Sequence, residues 1–299
     1  MMIWTEFLQR FSASRRLSPE TVRGYFGDLQ LFLAYWASRE PLAGPHDVQK
    51  RHLGDWFLAM KKTPGVSEAT ACARMRSVLV LLRWAERQQI LLIDPSQGLK
   101  VQKPSRPIPR ILTQAEVSQL LQAPLQKNRF FTKLRDRAIL ELLYATGMRG
   151  GELLALNVQD LELADASLQI LTGKGKNRRL PLTEPAVRAL QDYLDWILPR
   201  YAQSGESALF LTILGERLTT GNLHGLIARY GKLLGIAGVT AHAFRRALAT
   251  HLLQNGAELV QIQRLLGHED INSTMVYTRV FPADLIKAHR RSHPRARRR

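Results

Sequence analysis

In the stretch LLGHEDINSTMVYTRV, Leu265 to Val280, His268 follows Gly267 and Tyr277 stands nine residues further on. No cluster of metal-ligand residues explains the histidine. Three earlier segments carry side chains of matching chemistry. ATGMRGGEL sets Arg149 on a glycine-bearing turn, with Glu152 three residues later. TGKGKNRRLPL sets Lys174 between two glycines at the tip of an expected hairpin, and HAFRRALATHLL puts His242 and Arg245 at i and i+3, on one helix face. Singly, each has an ordinary structural explanation: a turn arginine or hairpin-tip lysine at the surface, a satisfied histidine, a half-buried tyrosine. Together they fit one task. Attack on a phosphodiester builds negative charge on the non-bridging oxygens, which two guanidinium groups grip bidentately while histidine donates further bonds. A tyrosine hydroxyl supplies the nucleophile, because cations nearby favour the anion of a phenol whose ordinary pKa is ~10. Arginine and lysine would provide the charge that Mg²⁺ brings to other phosphoryl-transfer sites, so no metal is required.

The elements that must position these groups are mostly helices. SPETVRGYFGDLQLFLAYWA begins with Ser18 as N-cap and Pro19 at the first helical position, and its apolar stripe comprises Val22, Tyr25, Phe26, Leu29, Leu33 and Trp36. SEATACARMRSVLVLLRWAERQQ starts at Ser67 and buries Ala71, Met75, Val78, Leu82 and Ala85, leaving Arg74, Arg76, Arg83 and Arg87 to other faces. The stretch from Gly98 to Arg110 holds three prolines and no periodicity and reads as an extended linker. Beyond it, Thr113 and Glu116 form a capping box, a long helix runs to Thr146, and helix resumes near Gly151. LQILTGKGKNRRLPL, 168 to 182, is a β-hairpin signature. The fold class expected is mainly α with a small antiparallel β-sheet. Its two domains would be a helical one over 1–100 and a larger one over 111–299, joined by a basic, proline-rich linker over 101–110.

Composition points to the partner. The 299 residues hold 43 Lys and Arg against 25 Asp and Glu, an imbalance suited to nucleic-acid phosphate. It is spread over both parts, with 15 basic and 9 acidic side chains in residues 1–103. The N-terminal residues lack the apolar core of a signal peptide and no run reaches membrane-spanning length, so a soluble cytoplasmic protein with no membrane partner is expected. The single cysteine, Cys72, lies in an apolar helical pattern and reads as a buried structural thiol.

The segments TGMRGGEL, GKGKNRRLPL, HAFRRALATHLL and LLGHEDINSTMVYTRV, in this order, resemble the four boxes of the tyrosine recombinase (phage integrase) family, most nearly its Xer type. The likeness extends to LSPETVRGY near the start and HPRA at 293–296. It implies a SAM-like helical core-binding domain followed by an α+β catalytic domain of the DNA breaking-rejoining type. It implies that Arg149 and Arg245 clamp the scissile phosphate with His268 assisting, that His242 stabilises the phosphate and handles the nucleophile's proton, that Lys174 protonates the departing 5′ oxygen, and that Tyr277 becomes a 3′-phosphotyrosine. No cofactor is implied: the bond energy stays in the covalent link, in keeping with the lack of an ATP-binding P-loop. The partners implied are double-stranded DNA with an inverted-repeat core site and a homo- or hetero-tetramer on two such sites, with or without a second recombinase. Residues 282–289 would form a docking element. Arg246, Arg279 and the pair Gly150–Gly151 depart from the commonest family pattern, which suits a mobile-element relative as well as a chromosome-dimer resolvase. The alternatives are a type IB topoisomerase-like enzyme, told apart by a relaxed rather than recombined product, and a catalytically silent DNA-binding regulator.

Overall fold

The structure, a computed structural model, describes residues 2–15, 17, 19–42, 44–101, 110–170 and 177–267. The chain divides into two compact units, Met1–Pro107 and Ile108–Arg299. The first is built from α1 (Met2–Arg15), α2 (Pro19–Trp36), α3 (Lys50–Lys62) and α4 (Glu68–Arg87). Ser67 caps α4, its hydroxyl accepting from the Thr70 N–H at 3.1 Å. The five residues expected on the buried face of α4 are buried, and so is Cys72. Trp84 from the same helix lies edge-on to Phe7 and Phe11, each ring centroid 5.4 Å away, an arrangement that sets positive ring edges against negative faces. On α2 the expected stripe needs correction: Phe26 is exposed, and Phe32 joins Leu29 and Trp36 in the core instead. The expected N-cap, Ser18, is outside the described residues. Leu99 and Val101 pack against this core, so the start of the unperiodic stretch is not free chain.

The second unit centres on α6 (Phe130–Thr146), which packs against α5 (Gln114–Gln122), α8 (Glu184–Trp196) and α11 (Ala241–Gln254). Thr113 and Glu116 form the expected capping box at the head of α5. After α7 (Gly150–Ala155) come β1 (Leu161–Glu162), β2 (Ser167–Ile170) and β3 (Arg178–Pro181), one antiparallel sheet in the order β1-β2-β3. The β2–β3 register sets Leu168 opposite Leu180 and Ile170 opposite Arg178, which turns both leucines into the core. The short α9 (Leu198–Tyr201), α10 (Thr220–Leu233) and α12 (Leu259–Leu266) complete the described residues. Among these, no helix is long and apolar enough to cross a membrane. Mainly helical structure with a small antiparallel sheet is the class the sequence implied.

Candidate active site

The second unit brings Arg149, His242 and Arg245 together. Lys174, His268 and Tyr277 lie outside the described residues, as does the expected docking element at 282–289.

Helix α6 ends at Thr146 because Gly147 takes up a left-handed conformation, φ 60°. A Cβ there would lie 2.7 Å from Leu266 Cδ2 and 2.9 Å from Leu248 Cδ2, so both the turn and the packing demand glycine. The turn delivers Arg149 to the N-cap of α7. Its backbone N–H donates to Glu152 Oε2 at 2.7 Å and its Nη1 to Glu152 Oε1 at 2.9 Å. One carboxylate thus holds both ends of Arg149, whose side chain remains 51% exposed and within reach of a ligand.

Arg245, near the start of α11, is only 1% exposed. Its Nη1 donates to the Gly147 carbonyl at 2.8 Å and its Nη2 to the Leu266 carbonyl at 2.7 Å. Both oxygens belong to helix C-termini, of α6 and α12, where the aligned peptide dipoles leave partial negative charge that suits a buried cation. The same two bonds tie the turn that presents Arg149 to the residue two before His268. His242 opens the same helical turn but is exposed at the rim. Residues three apart on a helix are offset by about 60°, enough to separate them in depth although they share a face. The imidazole of His242 is held below its ordinary pKa by partial burial first, then by the positive charges of Arg246, Arg245 and Arg149. A neutral histidine at pH 7 can accept a proton.

The sequence gives no role to two further groups. Glu152 Oε2 also accepts from Arg178 Nη2, at 2.9 Å, so two guanidinium groups share one carboxylate. The signal for Glu152 was its spacing, three residues after an N-cap. Nothing in the sequence separates Arg178 from its neighbour Arg179, which the alternation of the strand sends to the surface carboxylates of Glu162 and Asp165 at 2.6 and 2.8 Å. Behind the site, the hydroxyl of Tyr144 on α6 lies 2.9 Å from Nδ1 of the buried His251 on α11. Burial lowers the pKa of that imidazole, against a weaker opposing pull from the Leu112 backbone.

Comparison with known proteins covers nearly the whole chain. Residues 110–283 match the phage integrase family profile, and residues 5–89 match that of the phage integrase N-terminal SAM-like domain. Tyrosine recombinase XerD of Oceanobacillus iheyensis is 36% identical, the match covering 97% of this chain and 98% of the relative. Tyrosine recombinase XerC of Pelotomaculum thermopropionicum is 34% identical, with 97% of each chain covered. The crystal structure of XerH site-specific recombinase bound to a palindromic difH substrate, a post-cleavage complex, superposes with a TM-score of 0.75 at 22% identity, over 92% of this chain and 81% of the other. At that identity the likeness speaks to the fold alone.

Proposed function

This chain belongs to the phage integrase family and is a tyrosine site-specific recombinase, and from that premise we propose how its residues divide the reaction. Arg149 and Arg245 hold the non-bridging oxygens of the scissile phosphate, His268 donates a further bond, and His242, neutral at pH 7, takes the proton of the attacking phenol. The Tyr277 oxygen bonds to phosphorus, the bond from phosphorus to the 5′ oxygen breaks, and Lys174 protonates that oxygen as it leaves. The 3′-phosphotyrosyl link conserves the energy of the broken diester. Attack on it by the 5′ hydroxyl of a partner strand restores a diester and frees the tyrosine, and one round of exchange leaves a Holliday junction. ATP has no task in this scheme.

The observation that carries this assignment is the pair of bonds from Arg245 to the carbonyls of Gly147 and Leu266. They tie the helix that carries His242 to the Gly147 turn before Arg149 and to Leu266 at the end of α12, which supports a shared site. The partner is double-stranded DNA, with an inverted-repeat core site and a tetramer, of this chain alone or with a second recombinase, bridging two sites. The setting is the cytoplasm, and the work is resolution of chromosome or plasmid dimers, or integration and excision of a mobile element.

Covalent capture tests the scheme. The protein is incubated with nicked, sheared DNA from its source and denatured, and bound fragments are sequenced at their ends. Wild type is expected to trap fragments sharing an inverted repeat, while Tyr277→Phe binds DNA and traps none. Adducts formed equally by Tyr277→Phe would remove the proposed nucleophile; with a supercoiled plasmid carrying two copies of the recovered site, relaxed circles without recombined product would indicate a topoisomerase.

A further inference from the structure

Arg178 has no part in the scheme above, although its surroundings are those of the site. It opens β3, its side chain is 16% exposed, and its Nε is buried without a hydrogen-bond partner among the described residues. Its Nη2 donates at 2.9 Å to Glu152 Oε2, the oxygen that also receives the Arg149 N–H at 2.7 Å. Its Nη1 occupies the space that a Cβ on Gly267 would need. Gly267, at φ 65°, closes α12 and is followed by His268. One guanidinium therefore contacts both Glu152, which holds Arg149, and the Gly267 turn, from a strand that begins four residues after Lys174 in the sequence.

Resting on the recombinase reading, we propose that Arg178 is a positioning residue for strand cleavage, the joint that keeps the Glu152–Arg149 pair in register with the Gly267 turn. The first reason is charge. A carboxylate paired with Arg149 alone would offset the positive charge that a phosphate must meet; shared between two guanidinium groups, it leaves the cluster with a formal excess of one positive unit. The second is geometry. A phosphate-gripping fork works only when held to within about 0.5 Å, and Arg178 braces Arg149 through Glu152 while filling the seat that Gly267 leaves open. Gly267 thus serves twice, for its left-handed backbone and for the space beside it.

The test uses the full chain and nicked, sheared DNA from its source as the probe. Three quantities are read: the maximal rate of covalent protein–DNA adduct formation, the DNA concentration giving half that rate, and the thermal unfolding midpoint. Arg178→Met is expected to lower the maximal rate about 30-fold, with the half-saturating concentration changed less than about 3-fold and the midpoint nearly unmoved. Arg178→Lys, which keeps the charge but not the fork, is expected to recover about a third of the lost rate on a logarithmic scale. In a Glu152→Gln background, Arg178→Met should cost less than about 3-fold, because the bridge is already broken. Losses that simply multiply in the double variant overturn the proposal, as does a fall in midpoint with the rate per folded molecule unchanged. Should the methionine variant not fold, a folded Arg178→Lys protein with the wild-type rate overturns it as well. Failure of wild type to form any adduct sinks the recombinase reading and this one with it, whereas wild-type rates in Arg178→Met sink the positioning role alone.

Discussion

The two units bury ionisable side chains in different ways. In the first, His52 bonds to the Gln49 N–H and the Glu40 carboxylate, and Asp94 holds Ser96, so the partners are near neighbours in the chain and the rest of the core is apolar and aromatic. In the second, Arg135 pairs with Asp136 but reaches the Leu211 carbonyl 76 residues away, Tyr230 donates to Asp136 across 94, and Arg245 reaches Gly147 across 98. An apolar core needs volume and periodicity, whereas a buried ion needs particular partners at particular angles. The second unit has its charges locked by distant chain segments; the first has a core that period alone can specify.

The sharpest break of this contrast is functional. Arg149→Ala is expected to slow adduct formation about 1,000-fold while changing DNA affinity little, since in the proposed scheme its bonds to phosphate would be strongest in the transition state. Rates and equilibrium binding measured on the same DNA check this, and equal losses in both would remove the proposed transition-state role of Arg149. Next comes stability. Asp136→Ala strands the buried Arg135 and should cost about 4 kcal/mol, yet adding Arg135→Met should recover much of it, because an apolar pair replaces a buried ion pair at little cost. Leu82→Ala in the first unit should cost about 3 kcal/mol through an unfilled cavity, with no such partner to rescue it. Denaturant unfolding distinguishes the two patterns.

Acid gives a smaller effect. The pKa values of His251 and His242 are lowered in the folded chain, so the unfolded imidazoles bind protons first as pH falls. Stability contributed by the neutral forms is complete above the ordinary value of 6.5 and is lost below it. The unfolding midpoint should therefore hold from pH 7.5 to the ordinary value of 6.5 and fall as pH drops below it in wild type, less so in His251→Gln, and the cleavage rate should begin to drop only below the ordinary histidine range. Smallest of all is Phe26→Ser, expected within about 0.5 kcal/mol of wild type because the ring is exposed. A loss as large as that of the same change at the buried Phe32 would mean that the apolar stripe of α2 faces the way its sequence period suggests.

Much of this protein follows from the order of its residues. Helical periods, the caps at Ser67 and Thr113, and the β-hairpin pattern determined its elements, because those signals act over a few residues. The four motif segments, in order, pointed to its family. Orientation around the helix and partners across the chain were left to the tertiary structure. Phe26 and Phe32 have equal apolar character, and only packing against α1, α3 and α4 decides which is buried. His242 and Arg245 share one helical turn, yet the converging C-termini of α6 and α12 draw one inward and leave the other at the rim. Arg178 and Arg179 are the same residue type side by side; the sheet register sends one to Glu152 and the other to solvent-facing carboxylates. The physical reason is common to all three cases: local propensity is a property of short segments, but a charge or a ring finds its place by the free energy of what surrounds it, and that is set by residues far away in the chain.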